Sequence, residues 1–138
     1  MFAFFTSSVI LLLTSCSDKN TIDNEFRDQF NNCILLVQKI NSENASSDIK
    51  VRAFTYECLF ALTGYEGHVD KANEPHYIYP YSDSIDYIKI DIDEWCKWYE
   101  LNKFKMTIVK ADSLIKVHSI EYGVDNLQWP PLVVEALL

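Results

Sequence analysis

Two histidines and two carboxylates fall close together in this chain: His68, Asp70, Glu74 and His76. Side chains of these types can hold a metal ion or relay a proton. Their spacing matches no zinc pattern such as H-E-x-x-H, so a solvated loop is the plainer expectation. A second acidic run holds Asp83, Asp86, Asp91, Asp93 and Glu94, without the glycine that a calcium loop needs. It reads as a solvated helix face with an N-cap. Aromatic residues gather beside both groups. Tyr77, Tyr79 and Tyr81 on an irregular segment offer a binding surface for a sugar ring or a protein hot spot. Trp95, Trp98 and Tyr99 are expected to pack inward instead. No Gly-rich phosphate loop and no G-x-S-x-G elbow occurs. The sequence therefore designates no catalytic residue, no metal ligand set and no cofactor.

The elements that must position these residues are bounded by composition. The chain has 138 residues, enough for one domain, and 49% of them are hydrophobic, enough for a core. With 3 Gly and 4 Pro there are few turn signals, which favours helices over a β-sandwich. The net charge is −8, and no Asp, Glu, Lys or Arg occurs before Asp18. An acidic body is a poor partner for nucleic acid, which needs clustered Lys and Arg. It is equally poor at docking on anionic lipid by charge.

The uncharged N-terminal run centres on Val9-Ile10-Leu11-Leu12-Leu13 and ends just after a cysteine. A membrane-crossing helix needs about 20 apolar residues, so this run is short for a span and suits an export signal. It lacks the early Lys or Arg of most such signals. Leu13-Thr14-Ser15-Cys16 resembles a bacterial lipobox. The resemblance implies that residues 1–15 are a signal peptide and that the thiol of Cys16 accepts a diacylglycerol. It implies a second acylation at the new N-terminus, a tether over 16–20, and a domain over 21–138. Each buried methylene contributes about 0.8 kcal/mol, and two or more acyl chains hold stably. The expected location is the cell envelope, at a membrane, with lipid on Cys16 as the link.

Three cysteines then remain, Cys33, Cys58 and Cys96. An exported protein meets an oxidising compartment. Cys33 and Cys58 sit on the apolar faces of two neighbouring helices and form the expected pair if a disulfide exists. Buried free thiols are the alternative.

Along the domain, Ile22, Phe26, Phe30, Cys33, Ile34, Val37 and Ile40 recur at spacings of three and four. That predicts a helix capped by Thr21. A second helix is expected from Ser47 or Asp48, apolar nearly all round and ended by Gly64 at the C′ position. Two helices joined by a short polar loop predict an antiparallel hairpin. Residues 65–81 read as irregular, with Pro75 and Pro80. The next helix has two candidate starts. A capping box at Asp91 to Glu94 marks one, and a stripe of Ile85, Ile88, Ile92 and Trp95 places the other near Asp83. The alternation of Ile88, Ile90 and Ile92 also permits a strand. A last helix is expected over 107–118 with Ile108, Ala111, Leu114 and Ile115 inward. The tail over 132–138 is expected to dock as an apolar turn.

Leu62-Thr63-Gly64-Tyr65, followed by Asp91-x-x-x-Trp95-x-x-Trp98-Tyr99, resembles bacterial HEAT-like α-helical proteins. The resemblance implies a compact helical scaffold used for packing or binding, and no chemistry. The fold class expected is all-α or mainly α, built on a helix hairpin. The function expected is a lipid-anchored, non-enzymatic module that binds a protein, with an immunity-type role as one form of it. The alternative is a small envelope enzyme or carbohydrate-binding module using His68, His76 and the tyrosines.

Overall fold

The computed structural model describes residues 21–42, 48–70, 77–79 and 84–133. The lipobox-like motif with Cys16, and likewise His76 and Tyr81, lie outside the described residues. Four helices follow in order: α1 over Asn24–Ser42, α2 over Ile49–Thr63, α3 over Ser84–Asn102 and α4 over Ile108–Tyr122. Among the described residues there is no strand, only an isolated antiparallel bridge between Asp70 and Ile78. The fold is mainly α, as the composition and spacing predict. No described helix is long and apolar enough to cross a membrane.

Capping chemistry sets the helix ends. Asp48 accepts the N–H of Lys50 at the start of α2. Thr107 accepts the N–H of Lys110 at the start of α4. Gly64 and Gly123 end α2 and α4 with φ of 69° and 65°, the left-handed turn that glycine adopts without a Cβ penalty. At α1 the cap is Asp23 rather than Thr21. Its Oδ1 accepts the N–H of Phe26 at 3.0 Å. Its Oδ2 accepts the N–H of Ile108 at 2.9 Å, so one carboxylate ties the starts of α1 and α4 together.

The expected face of α1 is the buried one: Phe26, Phe30, Cys33, Val37 and Ile40 all point inward. All of these but Ile40 meet Tyr56, Cys58, Leu59 and Leu62 of α2 in one core cluster. Asn41 near the end of α1 donates to the hydroxyl of Tyr56 at 3.0 Å, closing the hairpin. From α3, Trp95 is fully buried, and Trp98 and Tyr99 stack over Phe30 with centroids 6.0 and 4.9 Å away. Trp95 is thus a core residue, as expected, and Trp98 is half-buried and packs against that core. Burying one aromatic ring contributes about 1.5–3 kcal/mol, and a ring pair adds about 0.5–1.5 kcal/mol. On that scale the Phe26–Phe30–Trp98–Tyr99 group fixes where α3 lies against α1. Helix α4 buries Ala111, Ile115 and His118. Leu114, expected inward, is exposed, and His118 takes the inner position one turn further on. The segment after α4 returns to α1, where Asn32 donates to the carbonyl of Pro131 and accepts the N–H of Val133. Leu132 in this segment is exposed.

Candidate functional site

Two carboxylates lie inside this helical body, and each holds a histidine and a tyrosine. The first is Asp91, fully buried in the middle of α3. Its Oδ1 accepts the hydroxyl of Tyr65 at 2.8 Å and lies 2.6 Å from Nδ1 of His68. Its Oδ2 accepts the backbone N–H of His68 at 2.8 Å. A carboxylate that already takes two donors is best completed by a third, so the His68 proton is assigned to Nδ1. Nε2 is then left as the acceptor of the ring. The His68 side chain is 40% exposed and stacks on Tyr87 at 4.5 Å. This is an oriented imidazole of the kind that serves as a general base. No described serine or cysteine donates to it, and no hydrogen bond links it to a nucleophile.

The loop that brings His68 to Asp91 depends on Gly67. Its φ is +79°, and a Cβ there would stand 2.6 Å from Oδ2 of Asp91. Trp95 fixes the same loop from below by donating its indole N–H to the carbonyl of Tyr65 at 3.2 Å. The Tyr65 phenol is pushed up to about 12 by burial first and by the Asp91 carboxylate second. The capping-box expectation at Asp91 is corrected here. Helix α3 begins at Ser84, so Asp91 lies two turns inside it and caps a loop instead of its own helix.

The second carboxylate is Glu57 on α2, also buried. Its Oε1 accepts the hydroxyl of Tyr77 at 2.9 Å. Its Oε2 lies 2.5 Å from Nε2 of His118 on α4. His118 in turn stacks on Tyr122 at 4.4 Å and meets the edge of Phe60 at 4.9 Å. Glu57 and Tyr77 open onto a cleft of about 410 Å³ between α2 and the end of α4. A second depression of about 570 Å³ lies across α4, beside Asp112 and Trp129, which are joined by a 2.8 Å hydrogen bond.

Tyr77 and Tyr79, expected on a binding surface, are buried. Tyr77 stacks parallel to Tyr56 at 6.1 Å, and Tyr79 meets the same ring edge-on at 6.0 Å. Both rings turn inward, where burial gains more than display. Burial pushes the Tyr79 phenol above its usual range, with Tyr56 and Asp91 adding to the effect. Cys33 and Cys58 lie together inside the hairpin as free thiols, and no bond joins them. The Cys58 thiol donates to the carbonyl of Gln128 at 3.3 Å instead. Burial raises the pKa of both. Cys96 is free and exposed.

Sequence reasoning paired His68 with Asp70, Glu74 and His76, and the structure pairs it with Asp91. It passed over Glu57 and His118 altogether. The available signal was a lone glutamate amid the apolar run of α2, since an unpaired buried carboxylate costs several kcal/mol. Among the described residues no group of three or more His, Cys, Asp or Glu side chains is placed to hold a metal ion.

The fold and the two inner carboxylates define a small mainly α-helical domain with buried carboxylate–histidine–tyrosine clusters. No family model, no curated protein and no solved structure matches this chain.

Proposed function

We propose that this chain is a lipid-anchored cell-envelope protein whose helical domain binds a protein partner and performs no chemistry on it. The anchor reading rests on Leu13-Thr14-Ser15-Cys16, with the Cys16 thiol as lipid acceptor. The observation that carries the binding reading is the outer side of α4. Val109 and Ile120 are 71% and 75% exposed, and Val117 between them is exposed too. At 100° per residue these three fall on one side of the helix. Isolated exposed aliphatics are ordinary, whereas an aligned row on an acidic body suits a partner's apolar face. The net charge of −8 favours a basic partner by electrostatic steering. An immunity-type role, in which a small acidic protein neutralises a basic toxin in the envelope, is one form of this reading.

Two measurements in the native host test it. Metabolic labelling with a fatty-acid analogue is expected to mark the wild type and not Cys16→Ala; equal labelling overturns the anchor. A photo-crosslinking residue at Val117 is expected to give one discrete adduct, while the same residue at exposed Gln38 on α1 gives none. Identical patterns from both positions overturn the binding reading.

A further inference from the structure

The depression across α4 has a volume of about 570 Å³. Small-molecule sites usually occupy about 300–1,000 Å³. Its lining comes from α4 and from the segment 126–129 that follows that helix. The one ring among the described lining residues is that of Trp129. Its indole N–H donates to Oδ1 of Asp112 at 2.8 Å. The backbone on either side is tied down as well. Leu127 and Pro130 are buried, and the carbonyl of Gln128 accepts the Cys58 thiol. The half-buried indole is therefore set in place before a ligand arrives, and little ordering is left to oppose binding.

The polar lining is balanced in charge. Asp112 and Lys116 stand one helical turn apart and supply one carboxylate and one ammonium. Asn126 and Gln128 add two amides. Among the described residues, no side-chain hydrogen bond engages Lys116, Asn126 or Gln128. The φ of Asn126 is +56°. Glycine would make that turn more easily; asparagine makes it and brings an amide to the depression.

These features select a ligand by elimination. A cation is opposed by Lys116 and an anion by Asp112. An apolar side chain would desolvate two amides and two charges with nothing in return. A neutral ring with an apolar face and a rim of hydroxyls satisfies every group. Its C–H bonds lie against the negative face of the indole. Each hydroxyl both donates and accepts, so it can meet a carboxylate, an ammonium or an amide.

We propose that this depression binds an uncharged pyranose sugar of one or two rings, stacked on Trp129 and hydrogen-bonded by Asp112, Lys116, Asn126 and Gln128. The proposal stands apart from the protein-binding reading, because Val109 and Val117 do not line the depression.

The test is an NMR titration of the full ¹⁵N-labelled chain that follows the indole N–H of Trp129, identified by its loss in Trp129→Phe. The probes are maltose, cellobiose, lactose and di-N-acetylchitobiose. Mannitol carries similar hydroxyls without a ring face, and acetyl-phenylalanine-methylamide carries an apolar ring without hydroxyls. At least one disaccharide is expected to move the indole signal saturably, binding about tenfold or more tighter than either control. No response to any of the four sugars, or a control as strong as the best of them, overturns the proposal. Asn126→Gly combined with Gln128→Ala alters two exposed positions, and glycine suits the positive φ at 126. That variant should keep the unfolding transition and bind the disaccharide about fivefold or more weakly. Unchanged affinity in it also overturns the proposal. Crosslinking at Val117 reads the protein partner separately, so the two readings fail in different experiments.

Discussion

Gly67 and Asp91 approach so closely that any side chain at position 67 would have to push the carboxylate aside: an added Cβ would stand 2.6 Å from Oδ2 and 3.0 Å from Cγ of Asp91. Gly64 makes a controlled comparison. It too has a positive φ, but a Cβ there meets nothing within 4 Å. Gly64→Ala should cost only the strain of a left-handed backbone, about 1 kcal/mol. Gly67→Ala adds displacement of a buried carboxylate and should cost about 3 kcal/mol or more. Urea unfolding of the two variants side by side checks the difference; equal midpoints would show that the approach is not rigid.

Asp91 satisfies three donors at once, from Tyr65 and from the ring and backbone of His68. Asp91→Ala strands all three and should destabilise by about 3–5 kcal/mol. His68→Gln removes one of them at a partly exposed position and should cost about 1 kcal/mol. Equilibrium denaturation ranks the two, and the prediction fails if the histidine variant proves the more damaging.

The Asp23 carboxyl is held below the usual carboxylate range, chiefly by the N–H of Ile108 and next by that of Phe26. A depressed native pKa means stability that is present above the unfolded value, about 3.9, and is lost as pH falls through the native one. Wild type should therefore lose stability below about pH 4 more steeply than Asp23→Asn. At neutral pH Asp23→Ala should cost about 1 kcal/mol, the usual worth of an N-cap. Thermal unfolding between pH 2 and pH 7 resolves both effects.

The three thiols should separate by access. Cys33 and Cys58 are buried, with raised pKa values and no attacking thiolate to offer. Cys96 is exposed, though burial of part of its surface and then Asp93 and Glu100 raise its pKa too. Iodoacetamide at pH 8 should mark Cys96 first, more slowly than a free cysteine, and reach Cys33 and Cys58 only with denaturant. Peptide mass mapping over time shows the order.

Much of this was written in local spacing. The stripe from Phe26 to Ile40, the starts of α2 and α4 beside Asp48 and Thr107, and the Gly64 stop all depend on neighbours a few residues away, and all lie where the pattern puts them. What the pattern misplaced depends on distant neighbours. Asp91 looks like an N-cap because its partners, Tyr65 and His68, lie 26 and 23 residues away. Glu57 looks like an exposed interruption of α2 because His118 is 61 residues on. The tyrosines at 77 and 79 look displayed because nothing nearby in sequence shows Tyr56 as their stacking partner. Polar residues buried in reciprocal clusters carry no periodic signal, so both candidate clusters were illegible as clusters. The exposed row on α4 has the opposite difficulty: its spacing matches an inward face, and only packing shows that the other side was chosen.

The clasp of Asn32 on Pro131 and Val133 has a bearing on the order of folding. Its two hydrogen bonds close loops of 99 and 101 residues, nearly the whole described chain. Loop-closure entropy rises with the logarithm of loop length, so such contacts are among the least favourable to make first. Helix α1 and its hairpin with α2 can assemble from contacts made within a few tens of residues. The segment after Pro130 then has a dock to join, and it comes last. Synthesis runs in the same direction, since that segment leaves the ribosome after the four helices. Until it arrives, both the donor and the acceptor of the Asn32 amide face water, and the hairpin core lacks its final cover.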